Sequence, residues 1–171
     1  MVGTRETKLI VLRGNSGSGK TTLAHALQRS RGRDQVAVIS QDVVRREVLW
    51  ANDLVGNSAI GMIDLMARYA LGEGFSVVVE GILHPERYGD MLRNLAHDHR
   101  GTTSAYFWDL PFEETLRRHT TKPKASEFGE REMREWWYGT AYVDGLDEAT
   151  IGAGESLGVV LERVQVDCGW L

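Results

Sequence analysis

The fold of this chain is decided by a stretch of nine residues, GNSGSGKTT, at positions 14–22. The stretch matches the phosphate-binding loop pattern G-x-x-x-x-G-K-[ST], in which glycines let the backbone wrap closely around a phosphate. Its flanks fit the pattern, because residues 8–12 (KLIVL) form an apolar run typical of a buried strand and residues 22–27 (TLAHAL) begin a helix. A strand, a glycine-rich turn and a helix in this order predict a nucleoside triphosphate site.

We expect every residue of this loop to contact the nucleotide, since the loop N–H groups and the helix N-terminus point at the anion. Lys20 is expected to reach the β- and γ-phosphates and to act in catalysis, and the Thr21 hydroxyl is expected to hold Mg²⁺. ATP and Mg²⁺ are therefore the expected cofactors, although the pattern does not distinguish ATP from GTP. The expected nucleotide-binding residues are Gly14, Asn15, Ser16, Gly17, Ser18, Gly19, Lys20, Thr21, Thr22 and Arg117.

The composition indicates a folded protein with one domain, residues 1–171. Hydrophobic residues make up 42% of the chain, charged residues 26%, and the formal net charge is −4. The acidic balance argues against nucleic acid as the main partner, except for the end of a strand, because duplex-binding proteins are mostly basic. The single cysteine, Cys168, excludes an intrachain disulfide. Because we find no signal-like segment and no run of about eighteen apolar residues, we expect a cytoplasmic protein without a membrane span.

Apolar runs of strand length alternate with helical periodicity along the chain. Continuous apolar strands separated by helices indicate a parallel sheet that is covered on both faces. We therefore predict a three-layer α/β/α phosphate-loop NTPase fold, with a mostly parallel sheet of five strands and a lid. The predicted strands are 8–12, 36–39, 75–79, 105–108 and 148–151, and the predicted helices begin at 22 and cover 43–49, 60–71, 85–99, 111–118, 131–137 and 155–166.

Acidic side chains lie at the ends of the second and third predicted strands. Since the carboxyl ends of parallel strands share one rim, Asp42 and Glu80 should face the cleft that holds the phosphate loop. Asp42 can accept the proton of an attacking hydroxyl or can cap the helix that follows it. Arg45 can bind the acceptor or lie on the solvent face, and Arg46 is the better candidate for a purely solvent-facing charge. Glu80 can reach Mg²⁺ through water, bind acceptor hydroxyls or support the loop backbone.

We interpret residues 118–130 as a lid, because this segment is polar and is interrupted by proline and glycine. Arg117 and Arg118 stand at its start, and either can stabilise charge on a transferring phosphoryl group or remain an exposed helix cation. We assign Arg118 to catalysis and Arg117 to nucleotide binding. Lys122 and Lys124 are either lid residues that approach the phosphates or solvated loop charges.

These features resemble those of small phosphate-loop kinases, a group that includes zeta toxins, chloramphenicol phosphotransferases, polynucleotide kinases and uridine kinases. The group shares a phosphate loop, then an acid followed three residues later by an arginine, and later a basic lid. Asp42 and Arg45 fit the second feature, and the segments SQD and VEGIL look like uridine kinase segments. The resemblance covers roughly residues 8–125. It implies phosphoryl transfer to a hydroxyl, with Asp42, Arg45 and Glu80 at the acceptor.

We therefore expect an enzyme that moves the γ-phosphate of ATP to a hydroxyl of a nucleoside, a sugar, a nucleotide-sugar or an antibiotic. The aromatic run Trp136, Trp137 and Tyr138 either packs in the core or forms a wall for a flat acceptor. The alternative is an ATPase or nucleotide switch that acts on a protein partner and needs a residue to position water. The acid–arginine pattern and the basic lid favour the kinase. The sequence leaves the acceptor and the oligomeric state open.

The first prediction concerns Lys20. The Lys20→Ala variant should lose turnover and bind ATP more weakly, because the ammonium group supplies the charge that the loop directs at the β- and γ-phosphates. The protein should remain folded by circular dichroism. Calorimetric titration with ATP and a steady-state assay measure the two effects. Wild-type affinity together with full turnover would contradict the assignment.

Overall fold

The computed structural model describes residues 1–121 and 126–171, and five strands form one sheet within them. The sheet order is β2-β3-β1-β4-β5, and all four strand pairings are parallel. The predicted five-stranded parallel sheet is thereby confirmed. The strands are β1 (Lys8–Gly14), β2 (Val36–Ser40), β3 (Ser76–Gly81), β4 (Thr102–Trp108) and β5 (Glu148–Ile151).

Helices connect the strands and cover both faces of the sheet. Within the described ranges, no helix is both long and apolar enough to cross a membrane. The helices are α1 (Lys20–Arg31), a π-helix (Val43–Val48), α2 (Ser58–Gly72), α3 (Pro85–Asp98), α4 (Phe112–Thr120), α5 (Glu130–Glu135) and α6 (Leu157–Asp167).

Two helical predictions differ from the structure. The segment after β2 is a π-helix, with the N–H of Leu49 donating to the Val44 carbonyl at 3.0 Å, five residues back. The helix predicted over 131–137 is shorter, because the N–H of Tyr138 is taken by the side-chain oxygen of Asn15 at 3.0 Å and leaves the helical ladder. The chain therefore leaves the helix before Tyr138, next to the phosphate loop.

The core lies in two layers on either side of β1. Successive side chains of a strand point to opposite faces of the sheet. Leu9 and Val11 join the layer under α2 and α3, whereas Ile10 and Leu12 join the layer under α1 and α6, and all four are fully buried. Because β1 is buried on both faces, its C-terminal end holds the start of the following loop in a fixed position.

A buried ion pair anchors the end of β1. The guanidinium of Arg13 donates to both carboxylate oxygens of Glu148 at 2.7 and 2.9 Å, and each side chain is 1% exposed. The same guanidinium donates to the carbonyls of Leu83 and Ala141, each at 3.0 Å. Burial lowers the pKa of Arg13, and Glu148 opposes this shift. One side chain thus joins the strand before the phosphate loop to the segment after β3 and to β5.

Loss of the Glu148 charge should destabilise the whole fold. In Glu148→Gln the Arg13 cation stays buried without its counter-charge, and breaking a buried pair in this way costs about 3–5 kcal/mol. Urea unfolding measures the change in the free energy of unfolding. The control Glu135→Gln breaks an exposed pair with Arg131, which should cost at most about 1 kcal/mol. Equal losses in the two variants would show that the buried pair is not an anchor.

Candidate active site

The phosphate loop adopts a backbone that glycine makes possible. Gly14, Gly17 and Gly19 have φ angles of 147°, 81° and 110°, a region that other residues rarely adopt. A Cβ at Gly17 would also lie 2.7 Å from the carbonyl oxygen of Thr115 in α4. The loop is therefore packed closely on α4, and it leads directly into the N-terminus of α1, where N–H groups favour an anion.

Two side chains hold the loop in shape. Lys20 is buried, and its Nζ donates to the Asn15 carbonyl at 2.9 Å and to the Ser18 Oγ at 3.0 Å. The side chain of Asn15 donates to the Gly139 carbonyl at 2.9 Å and accepts from the Tyr138 N–H at 3.0 Å. Asn15 therefore joins the loop to the segment after α5, and its side chain points to that segment.

One cavity of about 850 Å³ opens beside the loop at the carboxyl ends of the strands. Most of the site residues that were predicted from the sequence line this cavity. Gly14, Asn15, Arg117 and Arg118, which were expected to contact the nucleotide or act in catalysis, do not line it. The lining residues are Ser16, Gly17, Ser18, Gly19, Lys20, Thr21, Thr22, Ser40, Gln41, Asp42, Arg45, Arg46, Asp53, Glu80, Gly81, Ile82, Arg87, His119, Phe128, Trp136 and Tyr138.

Thr21 and Glu80 meet at the floor of the cavity. The Thr21 hydroxyl donates to the Glu80 carboxylate at 3.2 Å, and Glu80 is 3% exposed at the end of β3. A hydroxyl and a carboxylate are oxygen ligands of the kind that Mg²⁺ accepts, since Mg²⁺ commonly takes its other ligands from phosphates and water. Among the described residues no group of three or more acidic, histidine or cysteine side chains forms a separate metal cluster. The donor set therefore fits a metal bound together with a triphosphate.

Asp42 lies on the cavity wall at the start of the π-helix. Its side chain is half exposed, and its Oδ1 lies 3.7 Å from the Nη2 of Arg45 and 3.7 Å from the Nε of Arg46. The alternative that Asp42 caps the following helix is wrong, because the side chain accepts no capping hydrogen bond and the backbone is already helical at this residue. The carboxylate remains exposed to the cavity.

The two arginines of α4 have different surroundings. Arg118 donates to the Ser18 carbonyl at 2.9 Å, to Glu114 at 2.6 Å and to the Ala153 carbonyl at 3.2 Å, so it braces the outer side of the phosphate loop. Arg117 is 69% exposed and pairs with Glu114. Hydrogen bonds from Arg117 and then from Arg118 lower the pKa of Glu114 to about 2. The other lid candidates, Lys122 and Lys124, lie outside the described residues.

Asp53 is the shared acceptor of a hydrogen-bond network at the cavity that the sequence did not predict. Its carboxylate accepts from Arg87 Nη1 at 2.9 Å, from the Tyr88 hydroxyl at 2.9 Å, and from the amides of Gln41 and Asn57 at 3.3 Å each. Burial raises the pKa of Tyr88 to about 12. These residues come from three separate segments of the chain, near positions 41, 53–57 and 87–88, so no local sequence pattern marks the cluster.

Aromatic rings form another wall of the cavity. The guanidinium of Arg46 lies 5.3 Å from the centre of the Trp136 ring, and that of Arg87 lies 5.6 Å from the Tyr138 ring and 3.1 Å from its hydroxyl. Trp137 instead packs edge-on against Phe112, at 5.4 Å between ring centres. The aromatic run is thus divided between the cavity and interior packing, and Arg46 lines the cavity although its side chain is 41% exposed.

Solved structures of similar fold cover nearly the whole chain. The Mycobacterium tuberculosis APS kinase in complex with AMPPNP and APS is 19% identical, with a TM-score of 0.72 over 96% of this chain and 98% of that one. A gluconokinase from Sinorhizobium meliloti is 16% identical, with a TM-score of 0.68 over 98% and 94%. The tunicamycin resistance protein of Deinococcus radiodurans is 16% identical, with a TM-score of 0.60 over 95% and 96%. These similarities confirm the predicted phosphate-loop NTPase fold.

Sequence comparison identifies the family. No curated protein sequence matches the chain significantly. A family model described as an AAA domain matches residues 9–139, which include the phosphate loop, Asp42, Glu80 and both arginines of α4. Because this match spans most of the chain, the protein belongs to the AAA domain family.

Proposed function

We propose that this protein is a kinase that transfers the γ-phosphoryl group of ATP to a hydroxyl group of a small molecule. The observation that carries the proposal is that the phosphate loop and the exposed carboxylate of Asp42 line one cavity of about 850 Å³. Such a cavity has room for a small acceptor beside a triphosphate. Similar solved structures named as an APS kinase and a gluconokinase support phosphoryl transfer. Within its family, the chain then belongs with the zeta toxin, chloramphenicol phosphotransferase and polynucleotide kinase-like group.

The loop and the floor of the cavity hold the triphosphate in this proposal. The ammonium of Lys20 exchanges the Asn15 carbonyl and the Ser18 hydroxyl for oxygens of the β- and γ-phosphates. Thr21 and Glu80 would hold Mg²⁺. The metal, when bound, would neutralise negative charge on the β- and γ-phosphates.

The acceptor reacts on the side of Asp42. The acceptor oxygen forms a bond to the γ-phosphorus, the bond between the γ-phosphorus and the β–γ bridging oxygen breaks, and ADP leaves with that oxygen. The Asp42 carboxylate receives the proton of the acceptor hydroxyl. The exposure of this carboxylate to the cavity suits the role, since a carboxylate that accepted a capping hydrogen bond from the helix would be less free to accept a proton.

Arg118 has a positioning role before the nucleotide binds and a catalytic role once the triphosphate is bound. Its guanidinium already contacts the phosphate loop at the Ser18 carbonyl. We assign it the further step of moving from that carbonyl to a γ-phosphate oxygen when the triphosphate binds. Positive charge placed there stabilises the charge that spreads over the transferring group. Arg117, paired with Glu114 at the surface, is a weaker candidate for nucleotide contact.

The variant Asp42→Asn tests the proposal. Loss of a general base typically lowers the rate by about 10²–10⁴-fold, so transfer should fall by that factor while ATP affinity stays near the wild-type value. Calorimetry measures affinity, and a coupled assay for ADP with the acceptor present measures transfer. The matched control is Asp90→Asn, which removes a carboxylate that is 90% exposed on α3, and it should leave both quantities unchanged.

One result would change the assignment of the base, and another would oppose the kinase itself. Full transfer by Asp42→Asn would remove Asp42 as the base and leave Glu80 as the remaining candidate. Nucleotide hydrolysis stimulated by a protein partner, without phosphorylation of any small molecule, would favour the ATPase or switch instead.

A further inference from the structure

Three arginines line the cavity beyond the phosphate loop: Arg45, Arg46 and Arg87. Among the described residues, the side chains of these arginines make hydrogen bonds, ion pairs and ring contacts with Asp42, Ala51, Trp136, Asp53 and Tyr138, and none of these is in the loop 14–22. The loop has cations of its own, namely Lys20 and the bracing Arg118. The three arginines therefore belong to the part of the cavity that the triphosphate does not need.

The nearby carboxylates do not neutralise all the positive charge of these three arginines. Arg87 is neutralised by Asp53, with 2.9 Å between Nη1 and Oδ2. Arg45 and Arg46 share one carboxylate, Asp42, and each lies 3.7 Å from it, which is longer than a charge-assisted hydrogen bond. One positive charge is left over near the group that faces the acceptor hydroxyl. An anion carried by the acceptor would balance it.

Arg45 and Arg46 follow Asp42 by three and four residues, spacings at which helical side chains meet, and both approach the same Asp42 oxygen. The two arginines lie in the π-helix, and π-helical turns occur often at functional sites. The Nε of Arg45 is buried and has no hydrogen-bond partner, one of two such side-chain atoms in the described part of the chain. Buried unsatisfied donors are uncommon, and an unseen ion or ligand is one of their ordinary explanations.

Arg46 is held ready for a ligand. Its guanidinium lies 5.3 Å from the centre of the Trp136 ring, while its side chain remains 41% exposed. A planar guanidinium that rests on an aromatic ring loses less conformational entropy when it binds a carboxylate, a sulfate or a phosphate in a two-pronged manner. The ring thus fixes the position of the group without occupying its hydrogen-bond donors.

We propose that the acceptor is a small hydroxyl compound that carries an oxyanion, and that Arg45 and Arg46 bind this oxyanion while Asp42 faces the hydroxyl. The inference rests on the proposed kinase function and narrows its acceptor class. Neutral sugars, nucleosides and antibiotics are then poorer acceptors than their carboxylated, sulfated or phosphorylated counterparts.

The test measures binding with the phosphate loop already filled. Wild-type protein is saturated with Mg²⁺ and a non-hydrolysable ATP analogue, so that added anions cannot occupy the loop. Glucose 6-phosphate, glucose 6-sulfate and gluconate are each titrated against glucose, and adenosine 5′-phosphate against adenosine, with calorimetry and tryptophan fluorescence as readouts. At least one anion should bind ten-fold or more tightly than its neutral counterpart, and the comparison among carboxylate, sulfate and phosphate identifies the preferred oxyanion.

The variant Arg46→Gln assigns the site. Hydrogen bonds to charged groups are worth enough that losing this arginine should weaken anion binding about 10- to 100-fold. Neutral compounds should bind as they do to the wild type. The control Arg131→Gln removes an arginine that is 85% exposed on α5 and should change nothing. No anion preference in the wild type, or unchanged anion binding in Arg46→Gln, overturns the inference.

Transfer assays on the same compounds separate this inference from the kinase proposal. If glucose or adenosine is phosphorylated with the same kcat/KM as the anions, the kinase proposal stands and the oxyanion site is overturned. Anion binding that depends on Arg46, without phosphate transfer to any compound, keeps the oxyanion site and counts against the kinase.

Discussion

The candidate site depends on one buried cation, Arg13, at the end of the central strand. A guanidinium in the interior must find a counter-charge and hydrogen-bond acceptors, because burial without them is very unfavourable. Arg13 obtains them from Glu148, Leu83 and Ala141, so the phosphate loop, the segment after β3 and the start of β5 are fixed relative to each other. The next polar side chain of the loop, Asn15, continues this connection to the segment that carries Tyr138.

The sequence predicted the parts of the molecule whose signals are local. The phosphate loop follows from nine consecutive residues, and the strands follow from continuous apolar runs. Asp42 and Glu80 were found because the ends of parallel strands share one rim. The contacts of Asp53 with Arg87 could not be predicted, because the residues lie 34 positions apart and meet only in the folded chain.

Differences within single elements also have physical causes. The apolar pattern of the segment after β2 suits an ordinary helix, and only the five-residue hydrogen bond at Leu49 shows the wider π turn. Arg46 in this segment lines the cavity, whereas the sequence pattern favoured a purely solvent-facing charge. The early end of α5 depends on Asn15, more than a hundred positions away, which takes the N–H of Tyr138. Short helices next to a binding loop are therefore determined by long-range partners.

The most direct measurement of the central claim is the destination of the γ-phosphate of labelled ATP. The protein is incubated with Mg²⁺, γ-labelled ATP and a mixture of anionic alcohols, and the products are separated by mass. Our account predicts that the label appears on an alcohol, with one ADP formed for each phosphate transferred. Label found only in inorganic phosphate, at the same rate with and without the alcohols, would contradict it.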